Sequence, residues 1–364
     1  MTKIDFEELS EWTWAIRELP SSIEGLFIND EIILAGDKEG NIVCWNHEGE
    51  IKWKQKVGTR VENFALTKNT TTTNLFLVAG LELIGLNFES GEIKWKVELE
   101  GISDWVTIDE INNRIVATSS VFDIEYYDFI EGSYWIFSFD GELLTSEKMD
   151  EKAWHLYSNE NGVLLGLGRP KNGILKIRKD KKEHFKINDS PICCGFENIF
   201  GHANGTISIS KKKEIITQEI CNTAINAIHI QKNCYLISNQ SGDLYCKDQE
   251  KSKWTFHSNE TISLVNSISS PNKEMVFAST RTDGGSKFYL LDLNNGKEII
   301  ASQSEYSIRT TANIGNMLLL GFEDGKILIF EADLLIRRLK EKKEFNPNDN
   351  ERKKMLDKLR KLRK

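Results

Sequence analysis

Three observations predict an all-β chain folded as a closed ring of eight blades, a β-propeller. A two-strand motif, an apolar run followed by a turn and an alternating strand, recurs eight times at a mean spacing of about 41 residues. Glycine paired with Asp, Glu, Asn or Ser sits between the two strands of many copies, where a tight turn needs a positive φ. An outer segment of form Gly-x-x-x-Trp follows some copies, is missing after the last one, and has a Trp-bearing counterpart near the N-terminus.

The first copy runs Ile32-Ile-Leu-Ala-Gly36, a turn ending at Gly40, then Asn41-Ile-Val-Cys-Trp45. The second pairs Leu75–Gly80 with Leu83–Leu86. Next come Arg114–Thr118 with Tyr134–Phe139 across an insertion, Gly162–Gly166 with Gly173–Ile177, and Ile199–Gly201 with Gly205–Ile209. The last three are Cys234–Ser238 with Gly242–Cys246, Glu274–Ser279 with Lys287–Asp292, and Met317–Gly321 with Gly325–Phe330. The leading runs read as strands buried on both faces. In the following strands Ile42 and Cys44, Ile207 and Ile209, Leu244 and Cys246, and Ile327 and Ile329 fall two apart on one face.

Ring closure removes the exposed edges that an open array would leave. Glu11-Trp-Thr-Trp-Ala-Ile-Arg-Glu-Leu19 reads like Ile93-Lys-Trp-Lys-Val-Glu-Leu99, so residues 11–19 are expected to supply the outer strand of the last blade. The expected division is a propeller over 1–332 and a short, basic, helical tail over 333–364.

Leu83-Ile-Gly-Leu-Asn-Phe-Glu-Ser-Gly91-Glu-Ile-Lys-Trp95 resembles the PQQ-like propeller repeat, and Leu290-Leu-Asp-Leu-Asn-Asn-Gly296 with Ile300 in the Trp place resembles it too. The repeats also resemble the WD40-like families. In shape the chain is similar to the non-enzymatic, eight-bladed, outer-membrane-assembly type of propeller, but it shows no export signal. Fold does not by itself carry function.

Several classes are excluded or left without support. The N-terminus Met1–Ser10 is acidic and has no apolar core of a signal peptide, and no run of 18 apolar residues marks a membrane span. Six cysteines without CxxC spacing read as reduced thiols, so a cytoplasmic location is expected. The net charge is −8, yet residues 331–364 carry 13 Lys and Arg against 7 Asp and Glu, leaving 34 basic and 48 acidic groups before them. An acidic body therefore ends in a basic tail.

No GxSxG, P-loop, HExxH or GxGxxG occurs, and no nucleophile stands beside a base. Quinone-dependent dehydrogenases, which share the PQQ-like fold, carry adjacent cysteines near a quinone and a calcium ion, which brings Cys193-Cys194 forward. The competing reading is a strand in which one thiol is buried and its neighbour faces the other side. The histidines lack metal-ligand spacing, and His202, at a strand end, fits a hydrogen bond within its blade. No catalytic, cofactor or metal residue is assigned, and no cofactor is expected.

The insertion Val121-Phe-Asp-Ile-Glu-Tyr-Tyr-Asp-Phe-Ile-Glu-Gly132 interleaves large apolar residues with carboxylates. It joins the second and third strands of its blade, on the face that also carries the blade-to-blade loops. Tyr126, Tyr127 and Phe129 are candidate anchors for a basic partner, with Asp123, Glu125 and Asp128 steering it. An ordinary extended hairpin is the alternative. In the tail, Met355, Leu356, Leu359 and Leu362 form an apolar stripe among Arg352, Lys353, Lys354, Lys358, Arg360 and Lys361. It suits a protein groove, nucleic-acid phosphates or an anionic membrane surface, or else it is a solubilising helix.

These features point to a non-catalytic scaffold, a monomeric propeller working within a complex. Its loop-bearing face would hold one protein, and its tail a second partner or an acidic surface. The alternatives are a quinone or small-molecule enzyme using the channel, and a nucleic-acid-associated factor acting through the tail.

Overall fold

The computed structural model describes residues 2–3, 10–67, 73–179, 181–212, 214–248, 251–282 and 284–345. Eight antiparallel sheets of four strands follow one another along the chain. Their first strands, Ile23–Ile28, Val61–Leu66, Ile102–Asp109, Ala153–Asn159, Ile192–Phe196, Ile225–Gln231, Ile262–Ser270 and Ile308–Ile314, touch in sequence order. The last also touches the first, so the ring is closed and the eight-bladed propeller is the fold.

Each copy of the repeated motif forms the second and third strands of a blade, as in Ile32–Asp37 with Asn41–Asn46. The second strands are buried throughout in several blades, because another blade covers each face. The core is correspondingly divided into eight apolar clusters, one for each interface between neighbouring blades.

The outer-strand tryptophan, four residues after a glycine at Trp53 and Trp95 and after Glu250 at Trp254, is a bracket between blades. Trp53 Nε1 donates to the carbonyl of Phe88 in the next blade at 2.8 Å, Trp95 to Phe139 at 3.0 Å, and Trp254 to Leu293 at 2.7 Å. Each indole lies on the turn glycine of that next blade, Gly91, Gly141 and Gly296 respectively. Those glycines have φ between +68° and +84°, and a Cβ at any of them would overlap the indole. Within one repeat, Gly91 therefore receives the Trp of the preceding blade while Trp95 reaches to the following one.

Ala15–Glu18 forms the outer strand of the eighth blade, antiparallel to Lys326–Glu331, with Ala15 opposite Ile329 and Glu18 opposite Lys326. Its register differs from the Trp-for-Trp likeness. Trp53 lies opposite Cys44, four residues past the turn glycine, and Ala15 holds that place opposite Ile329. The Arg17 guanidinium covers Gly49, in the place that an indole takes at Gly91, Gly141 and Gly296. Trp12 is instead buried in the cluster between blades seven and eight, while Trp14 is partly exposed.

The N-terminus is used twice. Thr2–Lys3 adds a fifth, parallel strand to the outer edge of blade seven, beside Glu298–Ser304. A helix, α1 (Ala332–Phe345), follows the last strand directly. Ala332, Leu335 and Leu339 are buried with Trp12, Phe277, Phe330 and Ile300. Arg338 donates to the carbonyls of Glu11 and Thr13, at 3.1 Å to the latter, which ties the helix to the segment that closes the ring. The helix thus seals the base of blades seven and eight, opposite the face bearing the loops between second and third strands.

Candidate functional site

The first strand of every blade is interrupted at the same place. The pairing register slips once in each, at Glu24, Glu62, Asp104, Trp154, Cys193, Asn226, Ser263 and Arg309. A bulge re-aims the extra side chain and bends its strand. Here eight bulges stand at equivalent positions near the loop-bearing end of the innermost strands.

In blades eight, one and two the bulged residues form an ionic cluster. Glu24 accepts from Ser22 Oγ at 2.8 Å and pairs with Arg60 at 3.0 Å and Arg309 at 3.3 Å, with its side chain almost wholly buried. Arg60 also reaches Glu62 at 3.1 Å. A cavity of about 440 Å³, lined by Glu24, Arg60, Arg309 and Lys38, opens above them. In blade three, Asp104 pairs with Lys152 at 2.5 Å. Burial raises the pKa of both Glu62 and Asp104, against the lowering pull of Arg60 and Lys152 respectively.

The insertion of blade three rises from this face as a hairpin. Arg114–Asp123 and Asp128–Phe137 stay paired to their ends, with Phe122 opposite Phe129 and Asp123 opposite Asp128. Four residues, 124–127, make the turn, which Tyr127 closes at φ +54°. Asp123 Oδ1 accepts from the backbone N–H of Glu125 at 2.7 Å and of Tyr126 at 3.1 Å, so that oxygen builds the turn.

The stem of the hairpin is braced by aromatic packing. Phe122 meets Tyr127 and Phe129 edge to face at 6.1 and 5.2 Å, and Phe129 meets Trp154 of blade four at 5.6 Å. Lys152 Nζ stands 3.9 Å from the Phe129 ring centre while it pairs with Asp104. Asp128 is held by Arg169 at 3.1 Å. The tip projects past this support: Ile124 is 79% exposed, Tyr126 76% and Tyr127 84%.

The structure therefore gathers the residues singled out in the insertion, but divides their work. Tyr126 and Tyr127 stand at the tip with Glu125, Phe129 is half-buried in the stem, Asp123 holds the turn, and Asp128 pairs with Arg169 of the next blade. Sequence reasoning missed Lys152 and Trp154, which support the stem from the next blade; no local pattern marks either of them. Arg352, Lys353, Lys354, Lys358, Arg360 and Lys361 lie outside the described residues.

The adjacent cysteines depart from simple strand alternation. The bulge at Cys193 lets both sulfurs reach the Ile225 carbonyl, Cys193 at 3.0 Å and Cys194 at 3.4 Å. Both thiols are free, as are the other four. His202 is buried, 2.7 Å from Ser208 Oγ of its own blade and 3.2 Å from the Ser190 carbonyl.

A family model described as outer membrane protein assembly factor BamB matches residues 9–123. Among solved structures, Sqt1 of Saccharomyces cerevisiae is similar with a TM-score of 0.68 at 13% identity, covering 88% of this chain and 98% of that one. BamB from Moraxella catarrhalis is similar with a TM-score of 0.62 at 11% identity, covering 87% and 98%. The computationally designed Ika8 protein gives 0.65 at 15% identity, covering 86% and 98%. At these identities the likeness is one of fold. No curated protein sequence matches the chain. The PQQ-like resemblance thus holds in sequence over residues 9–123, and around the ring the likeness to PQQ-like and WD40-like propellers is one of fold.

Proposed function

We propose that this eight-bladed propeller is a non-catalytic scaffold that binds a partner protein through the hairpin of blade three. The observation that carries the reading is the hairpin itself. Two tyrosines and an isoleucine stand exposed on a stem fixed by an aromatic cluster and a lysine over Phe129. Large apolar groups held out in water mark interaction sites, and a fixed stem lowers the entropy lost on binding. Tyrosine is among the residues that dominate interface energies. Glu125 and Glu131, both exposed, give the tip an acidic surround that favours a basic partner surface.

The basic tail, 333–364, is the second attachment in this reading, through its part beyond helix α1, to another partner or an acidic surface. Helix α1 leads to it from the base of the ring, on the side opposite the hairpin. Two attachments on one rigid body gain through effective concentration. Six free cysteines support a place in the cytoplasm. No helix among the described residues is long and apolar enough to cross a membrane.

Affinity capture from native extract tests the reading with three forms: the full chain, a chain ending at Asn346, and the full chain carrying Tyr126→Ala and Tyr127→Ala. A protein recovered in fixed ratio with the first two and lost from the third supports the hairpin. Recovery of the same proteins by all three forms refutes it.

A further inference from the structure

A second cleft, of about 460 Å³, lies between blades six and seven, away from the hairpin. One wall is the end of the outer strand Ser252–His257 of blade six, through Phe256 and His257. The other is blade seven, through Tyr289, Glu298 and Gln303. The Phe256 and Tyr289 rings meet across the interface at 5.0 Å between centres, tilted by 58°.

The register of blade seven brings a carboxylate to these rings. Leu291 pairs with Glu298 and Leu290 with Ile300, so the outer strand bulges at Ile299. Tyr289 and Leu291 share one face of their strand, and Glu298, opposite Leu291, shares it too. Glu298 Oε1 is buried and has no hydrogen-bond partner among the described residues. The other ionisable side chains lining the cleft have partners: Lys287 pairs with Glu260, and His257 Nδ1 lies 2.5 Å from Asp243. A buried carboxylate oxygen without a donor is unfavourable, and a donor brought to Glu298 from the cleft would relieve it.

We infer that this cleft binds the guanidinium of an arginine side chain presented by a partner protein. A guanidinium supplies several N–H donors in a plane, can take the carboxylate oxygen, and stacks on aromatic rings. A neutral ligand would leave the Glu298 charge unmatched. This second contact goes beyond the hairpin reading and does not need the hairpin to be correct.

Saturation-transfer NMR on the full chain with N-acetyl-arginine methylamide tests it, with the isosteric, uncharged citrulline compound as comparison. The expected result is transfer to the arginine compound alone, weakened about tenfold by Glu298→Gln, since one charge-assisted hydrogen bond is replaced by a neutral one. Phe256→Leu should weaken it as well, and the Tyr126→Ala, Tyr127→Ala variant should bind like the parent. Equal transfer to both compounds, or binding unchanged by both Glu298→Gln and Phe256→Leu, overturns the inference.

Discussion

Replacing Gly91 by alanine should destabilise the propeller mainly through Trp53, a residue of the neighbouring blade. Gly91 has φ +71°, and a Cβ placed there would run into the Trp53 ring. The backbone conformation alone costs an L-residue about 1–2 kcal/mol. Displacing a packed indole adds about 1–3 kcal/mol, as overpacked cores do. Trp53 is 6% exposed and donates to Phe88, so Trp53→Ala should itself cost about 3–5 kcal/mol. In the Trp53→Ala background the collision is gone, and Gly91→Ala should cost only its backbone share of about 1–2 kcal/mol. The two changes should therefore couple by about 1–3 kcal/mol in a double-mutant cycle followed by urea denaturation. If Gly91→Ala costs the same with and without the indole, the bracket between blades is not what fixes that glycine.

Three further outcomes are expected. Deleting residues 1–20 removes the outer strand of blade eight together with buried Trp12 and Leu19, a loss of about 3–6 kcal/mol from the two side chains; a truncated chain that melts like the full one would contradict ring closure by this segment. Lys152→Met leaves the Asp104 carboxylate buried without its cation and should cost about 3–5 kcal/mol, with much of that regained on adding Asp104→Asn, as thermal melts would show. His155 and His229 are pushed down to about 4 by burial, so between about pH 6.5 and 4 the unfolded chain binds protons that the folded one refuses. Each should remove up to about 1.4 kcal/mol per pH unit as pH falls through that window. The buried carboxyls of Asp104, Glu62 and Glu151 are raised and act in the opposite sense, so the readout is the difference in slope between the parent and His229→Gln.

Much of the ring was legible because second strands such as Ile32–Asp37 are buried on both faces and must be continuously apolar. Their turn glycines supply positive φ, which marks the hairpins in the sequence. The innermost strands were hidden for the opposite reason. Each carries a bulge, and residues such as Glu24, Asp104 and Arg309 interrupt any alternation a reader could follow. The closing strand was found from its likeness to Ile93–Leu99, but its register was not, because Ala15 and Arg17 together replace the indole. In the insertion, composition singled out the tyrosines. It could not tell that Asp123 builds the turn or that Lys152 and Trp154, from the next blade, hold the stem. The cleft at Glu298 had no sequence signal, since it forms only where blades six and seven meet.

The central claim, that the exposed hairpin is where a protein docks, is tested most directly by site-specific photo-crosslinking. A benzophenone side chain at Tyr127, at the tip, is compared with one at Glu48, in a third-to-fourth-strand turn on the opposite face of blade one. After irradiation in native extract, the account predicts one discrete protein adduct from position 127 and none of the same mass from position 48. Position 127 yielding no adduct, or both positions yielding the same one, would contradict it.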